Sequence, residues 1–125
     1  MLRIVLATTR PKAWETFAAA LSSNPEVQLT HVVSGAEAVA AVRAAAPHLV
    51  IIDADLPDDA PLDLVQKLLR VNAMVNTAVV STLCNEEFHE ATEGLGVLGR
   101  LPNEPGRSDA TDLLLRLKVV LGGNG

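Results

Sequence analysis

Apolar and polar positions along the chain fall into short blocks that switch repeatedly between a strand-like run and a helical period. Leu2 to Ala7 is a compact apolar run, after which Trp14, Phe17, Ala18 and Leu21 recur at i, i+3, i+4 and i+7. The run predicts a strand and the recurrence an apolar stripe on a helix. Pro11 is placed to open that helix, because its missing N–H would have no partner in a first turn. Gln28 to Val33 reads as a second strand. In Ser34-Gly-Ala-Glu37 a hydroxyl and a carboxylate can each satisfy a free N–H at a helix start, so an alanine-rich second helix is predicted to about Ala45.

Leu49 to Ile52 has no polar alternation at all, as expected of a strand covered on both faces. It runs directly into Asp53. Pro61 then begins a helix carrying Leu62, Val65, Leu68 and Leu69, and Thr77 to Thr82 is a β-branched fourth strand. Asn85-Glu-Glu reads as a cap followed by acidic first-turn residues, on a short helix ending near Gly94. Val97 to Leu101 is the fifth strand, and the helix from Ser108 to Leu121 sets Ala110, Leu113, Leu114, Leu117 and Leu121 on one side. Alternating units of this size predict an α/β fold, a doubly wound parallel sheet with right-handed crossovers and helices on both faces. Residues 1–121 form the predicted domain, and 122–125 a Gly-rich tail, either a linker or a frayed end.

Composition adds exclusions. At 125 residues, 49% hydrophobic and 20% charged, the chain is long enough for one core without disulfides or a structural metal. Its net charge of -5, its scattered basic residues and the absence of Tyr argue against a nucleic-acid surface. Cys84 stands alone, which excludes an internal disulfide and a zinc-type spacing, and is expected as a small half-buried thiol. The first residues read as a strand rather than a signal peptide, and no apolar run approaches a membrane span, so a cytoplasmic protein without a membrane partner is expected. His31, His48 and His89 fall in separate segments and carry no assigned chemistry, and no G-x-G-x-x-G follows a strand. No catalytic arrangement emerges, and the chain is not expected to be an enzyme.

Asp53 is the residue with the strongest claim to function. It stands at the carboxyl end of the most buried strand, the edge of an open α/β sheet where ligands gather. Three further carboxylates, Asp55, Asp58 and Asp59, follow in the same loop. They suit loop solubility and helix-start charges, though together with Asp53 they could gather a divalent ion weakly.

In order and spacing, a series of segments resembles the receiver domains of bacterial two-component response regulators. Arg3-Ile-Val-Leu-Ala-Thr-Thr-Arg-Pro11 is similar to that family's first strand and its exit. Ser34-Gly-Ala-Glu-Ala38 resembles the opening of its second helix, and Pro47-His-Leu-Val-Ile-Ile-Asp53 the strand bearing the phospho-accepting aspartate. Leu56-Pro57 with Leu62-Asp63-Leu64, and Gly94-Leu-Gly96 through Leu101-Pro102, resemble the two later elements. The resemblance implies a flavodoxin-like sheet of five strands in the order 2-1-3-4-5. It also implies phosphorelay signalling with Asp53 as phosphoacceptor. Protein partners would be a sensor histidine kinase or an effector domain, and a homodimer could form through the helix 4–strand 5–helix 5 face.

The departures from the family pattern are chemical. The resemblance places an Mg²⁺-binding acidic pair at Thr8 and Thr9, with the remaining ligands Asp53 and the backbone carbonyl of Asp55. Neutral hydroxyls offset little of the dehydration of so hard a cation, so Asp53 and Asp55 are left as weak Mg²⁺ candidates and no cofactor is assigned with certainty. The family's lysine is Leu101 here, unless Arg100 or Lys12 reaches in. Its aromatic switch position is Leu98, and its switch hydroxyl falls on Ser81 or Thr82. An atypical receiver follows, with the fold kept and regulated phosphorylation in doubt. The alternative is a small-molecule- or phosphate-binding domain using the same edge, with Thr8, Thr9 and Thr82 around the ligand.

Overall fold

The computed structural model describes residues 2–81 and 83–122. Five strands form one parallel sheet in the order β2-β1-β3-β4-β5. They are β1 (Leu2–Ala7), β2 (Val27–Val32), β3 (Leu49–Ile52), β4 (Asn76–Val80) and β5 (Val97–Leu101). Between and after them run α1 (Glu15–Ser22), α2 (Gly35–Ala44), α3 (Pro61–Val71), α4 (Asn85–Thr92) and α5 (Arg107–Val120). None of the described helices is long and apolar enough to cross a membrane.

Strand side chains alternate between faces, and the two faces bury different helices. Ile4, Leu6, Leu49, Ile51, Ala78 and Val80 pack with Trp14, Phe17 and Leu21 of the α1 side and with Ala110, Leu113 and Leu117 of α5. Val5, Ala7, Val50, Ile52 and Val79 pack with Ala38 and Val42 of α2, with Leu64, Val65 and Leu68 of α3, and with half-buried Phe88 of α4. All four residues of β3 are fully buried, which explains its unbroken apolar run. Being central, β3 delivers Asp53 to the middle of the sheet's carboxyl edge.

Several boundaries differ from the sequence expectation, for local reasons. Helix α1 begins at Glu15 rather than Pro11, because Ala13, Trp14 and Glu15 donate to the carbonyls of Arg10, Pro11 and Lys12, a tight i to i+3 turn preceding the first α-helical bond from Ala18 to Trp14. At α4 the cap position belongs to Cys84, not Asn85, and the Cys84 thiol is exposed rather than half-buried. At α2 half of the expected cap is present: Ser34 Oγ accepts from the Glu37 N–H at 3.1 Å, whereas Glu37 Oε1 reaches past Ser34 to accept from the Val33 N–H at 3.2 Å. The α4–β5 turn places Gly94 and Gly96 at φ 77° and 69°, where side chains are rarely tolerated. Leu98 is the extra residue of a bulge, since Thr77 pairs with Val97 and Ala78 with Gly99, and it packs half-buried on the α1–α5 face. Thr82, expected at the end of β4, lies outside the described residues, as do residues 123–125 of the expected tail.

One polar atom in the core has no partner among the described residues, the hydroxyl of Thr77, which is fully buried in β4. An unsatisfied buried hydroxyl carries a desolvation penalty that an apolar methyl does not. Thr77→Val is therefore expected to raise the stability by about 1 kcal/mol, measured as a shift in the urea midpoint. A loss of stability would mean that the hydroxyl is bonded.

Candidate functional site

The carboxylate of Asp53 is fully buried at the end of β3, and its cationic partner is Arg10. Its Nε donates to Asp53 Oδ2 at 2.9 Å and its Nη2 to Oδ1 at 2.6 Å, a bidentate pair with the guanidinium one quarter exposed. The remaining lone pairs are also engaged. Thr8 Oγ1 donates to Oδ2 at 2.5 Å, Trp14 Nε1 to Oδ2 at 3.1 Å, and the Ala54 N–H to Oδ1 at 2.7 Å.

The sequence builds this arrangement within a few residues. Where β1 ends, the Thr8 hydroxyl accepts from the Arg10 N–H at 2.9 Å and so folds the chain back over the strand edge. Pro11 disfavours the helical region for Arg10, which keeps the side chain directed across the sheet rather than into α1. The tight turn that follows drops Trp14 beneath the edge, where its ring meets Phe17 edge-on at 5.2 Å and turns the indole N–H toward Asp53. Arg10 Nη2 also donates to the Asn103 carbonyl at 3.1 Å, and Nε lies 3.7 Å from Asp55 Oδ2. One guanidinium thus joins the loops after β1, β3 and β5.

Charge follows geometry. Burial alone would push the Asp53 carboxyl upward, but the hydrogen bonds from Arg10, Thr8, the Ala54 N–H and Trp14 outweigh it and hold the group below the usual carboxylate range. The bond to Asp53 in turn tightens the hold of Arg10 on its own proton. The pair is permanently ionised at neutral pH.

Arg10 is the residue that the sequence reading missed. Lys12 and Arg100 are the substitute cations that the sequence suggests. Lys12 is exposed, and among the described residues it makes no ion pair with Asp53. Arg100 turns away to the start of α4, donating to the Leu83 carbonyl and to Asn85 Oδ1 and lying over the Phe88 ring. The picture of Asp53 as an acid without ionic companions is therefore corrected. A bidentate arginine supplies the companion, and its only sequence signal was a basic residue two positions beyond Thr8.

The other expected residues divide clearly. Thr8 and Thr9 are at the site, Thr9 Oγ1 donating to the Asp55 carbonyl at 3.3 Å. Asp55 is largely exposed beside Arg10. Asp58 instead caps α2, its two oxygens accepting from Gly35 and Ala36 N–H at 2.8 and 2.9 Å, which lowers its own pKa. Asp59 pairs with Lys67 at 2.6 Å. A Cβ on Gly35 would lie 2.5 Å from Asp59 Oδ2, so any larger residue at this helix start would push the Asp59 carboxylate aside. Ser81 Oγ accepts from the Leu83 N–H, and Thr82 lies outside the described residues. Leu101 is buried in the core on the α1–α5 face, an apolar plug where the resemblance expects lysine.

These residues do not fit Mg²⁺. The ion needs near-octahedral charged oxygen at short distance, whereas the Asp53 oxygens are saturated, the Asp55 carbonyl is taken by Thr9, and a guanidinium cation sits over the site. Among the described residues no group of three or more His, Cys, Asp or Glu side chains converges. Beside the site, an apolar depression of about 320 Å³ is lined by Ala54, Ala60, Pro61, Leu62, Val79, Val80, Ser81 and Asn103.

No protein-family model matches the chain, and no curated protein matches its sequence. Solved structures do resemble it. A CheY-like response regulator receiver domain protein from Methanospirillum hungatei aligns with TM-score 0.81 at 14% identity, over 98% of each chain. The chemotaxis response regulator CheY4 of Vibrio cholerae aligns with TM-score 0.79 at 15% identity, over 94% of this chain and 98% of that one. The N-terminal domain of an uncharacterized protein from Wolinella succinogenes aligns with TM-score 0.79 at 18% identity, over the whole of both. Identities this low speak for the fold, which is the receiver fold with the strand order expected from sequence.

Two outcomes are expected from the Arg10–Asp53 pair. Because the folded-state pKa of Asp53 lies below its unfolded value, its contribution to stability is present above about pH 4 and is lost as pH falls through the folded value. Urea midpoints followed by the fluorescence of the single tryptophan, Trp14, are expected to fall below that pH. The fall should be shallower in Asp53→Asn, with Asp58 supplying part of what remains. An identical acid limb in both proteins would refute the assignment. Arg10→Met, which strands a buried carboxylate, is expected to cost about 3 kcal/mol at neutral pH, the low end for a buried pair because the Arg10 side chain is a quarter exposed. Asp53→Leu in the same protein should return much of that loss, as equilibrium unfolding of the pair would register.

Proposed function

We propose that this receiver-fold chain is a module of two-component, phosphorelay-type signalling in which Asp53 occupies the phosphoacceptor place without accepting phosphate under regulation. It works in the cytoplasm through protein–protein contacts rather than catalysis. The observation that carries this reading is the saturation of Asp53 by Arg10, Thr8, Trp14 and the Ala54 N–H. Attack on phosphorus needs a carboxylate oxygen with a free lone pair, an open line of approach, and cations that take up charge on the transferring oxygens. Here the lone pairs are committed and the approach is covered by Arg10. The lysine position is an apolar Leu101, and the site does not accommodate a divalent ion.

Receiver modules whose output is not switched by phosphate still present a surface to a sensor kinase or an effector domain. The face made by α4, β5 and α5 suits that role, since α5 leaves Leu115, Val119 and Val120 exposed, with Leu121 just beyond it. Docking there would be constitutive or set by another ligand. The apolar depression next to Ala54 supports a second reading, a neutral small-molecule site at the same edge, because Arg10 and Asp53 cancel each other's charge.

The test is incubation with a small phosphodonor and Mg²⁺, followed by intact mass, with Asp53→Asn as control. No mass gain is expected in either protein. A phosphoryl adduct on the unmutated chain alone would overturn the proposal, and a small neutral compound retained in native mass spectra would favour the second reading.

A further inference from the structure

Basic residues that look scattered in the sequence meet in one place. Between α2 and α3 runs an open groove of about 640 Å³, lined by Val39, Val42, Arg43, Lys67, Arg70 and Val71. Arg43 and Arg70 occupy the last turns of their helices, where each complements the carbonyl end. That local role does not account for both facing a common groove. Lys67 is committed to Asp59, whereas no ion pair among the described residues involves Arg43 or Arg70. Two guanidinium groups without an ion pair thus line one predominantly polar groove on a chain whose net charge is -5.

The complementary surface is on the same chain. Helix α4 is acidic, with Glu86 and Glu90 one turn apart on an exposed side, Glu87 between them and Glu93 at its end. None of these carboxylates forms an ion pair among the described residues. Helices α2, α3 and α4 all cover the same face of the sheet, and the strand order sets α3 between the other two. A two-fold axis over α3 therefore brings the α4 of each copy onto the α2–α3 groove of the other, and the contact closes at two copies.

We infer that the α2–α3 groove is a self-association surface that receives the acidic α4 of a second copy. A nucleic acid or an anionic membrane is a poorer occupant, because the overall negative charge repels a polyanion and the groove offers few cations. The contact is charge-driven and small, so it is salt-sensitive and of modest affinity. It does not depend on whether Asp53 is phosphorylated, and it leaves the apolar residues of α5 to another partner.

Analytical ultracentrifugation of the full chain at about 50 mM and about 500 mM salt tests this, since screening at the higher salt removes exposed charge pairing. Dimers are expected at low salt and monomers at high salt. Arg43→Glu with Arg70→Glu, and separately Glu86→Lys with Glu90→Lys, should each weaken dimerisation at least about tenfold by setting like charges opposite each other. An equimolar mixture of the two variants should pair again, because both contacts of the mixed dimer are then matched. If circular dichroism shows either variant unfolded, the milder Arg70→Gln and Glu90→Gln carry the same comparison, each weakening the dimer. A chain monomeric at low salt, a dimer indifferent to these changes, a mixture that fails to pair, or species growing beyond two copies would overturn the inference.

Discussion

A carboxylate sealed inside a protein must find its counter-charge within the protein, and at Asp53 that demand organises the whole carboxyl edge of the sheet. Desolvating an isolated carboxylate costs several kcal/mol even after relaxation, and attraction to a cation offsets this only when geometry is good and the remaining lone pairs are filled. Both conditions hold. Arg10 binds in the bidentate manner, while Thr8, Trp14 and the Ala54 N–H complete the shell. Each donor comes from a segment that leaves the sheet at this edge, so satisfying one buried charge fixes the exits of β1 and β3. The Asn103 carbonyl brings the exit of β5 into the same network.

Neighbouring carboxylates are consumed in the same way. Asp58 reaches back to the first N–H groups of α2, and Asp59 is held by Lys67 against Gly35. What reads in sequence as an acid-rich loop able to collect a divalent ion is, in the fold, a loop latched to two helices. A bound divalent ion exchanges with solvent and brings two charges. The guanidinium of Arg10 brings one, is covalently attached, and cannot be titrated away near neutral pH. A site held by the second is a fixed strut and not an exchangeable one.

The fold was legible because its signals were redundant. Leu49 to Ile52, the Ser34–Glu37 cap and the stripes of α1 and α5 each predicted an element, and their alternation predicted the architecture. Boundaries moved where a local hydrogen bond competed with periodicity, as in the tight turn from Arg10 to Glu15 that delays α1. The site was half legible. Asp53, Thr8, Thr9 and the Asp55 carbonyl were placed together by resemblance, and they do meet. Arg10 was not, because residue-by-residue matching asks what stands at a known position, and this cation comes from a position to which the family pattern gives no role. A physical question would have found it: a strand-end carboxylate without metal ligands needs a cation, and Arg10 and Lys12 are the nearest basic residues at the exit of the adjacent strand. Only the turn made by Thr8 decides between them. The groove between α2 and α3 was hidden for a different reason, since Arg43 and Arg70 converge only once two helices pack side by side.

A module that switches needs two states close enough in free energy for a ligand or a modification to move the balance. Any rearrangement that withdrew Arg10 from Asp53 would strand a buried acid and break the tie to the β5–α5 loop together. Such a rearrangement costs a few kcal/mol for a buried ion pair, which disfavours switching at this edge. Under the proposed function the information such a module carries does not lie in the chemical state of its aspartate. It lies in which surfaces are occupied, and therefore in the concentrations and charges of the chains that meet them.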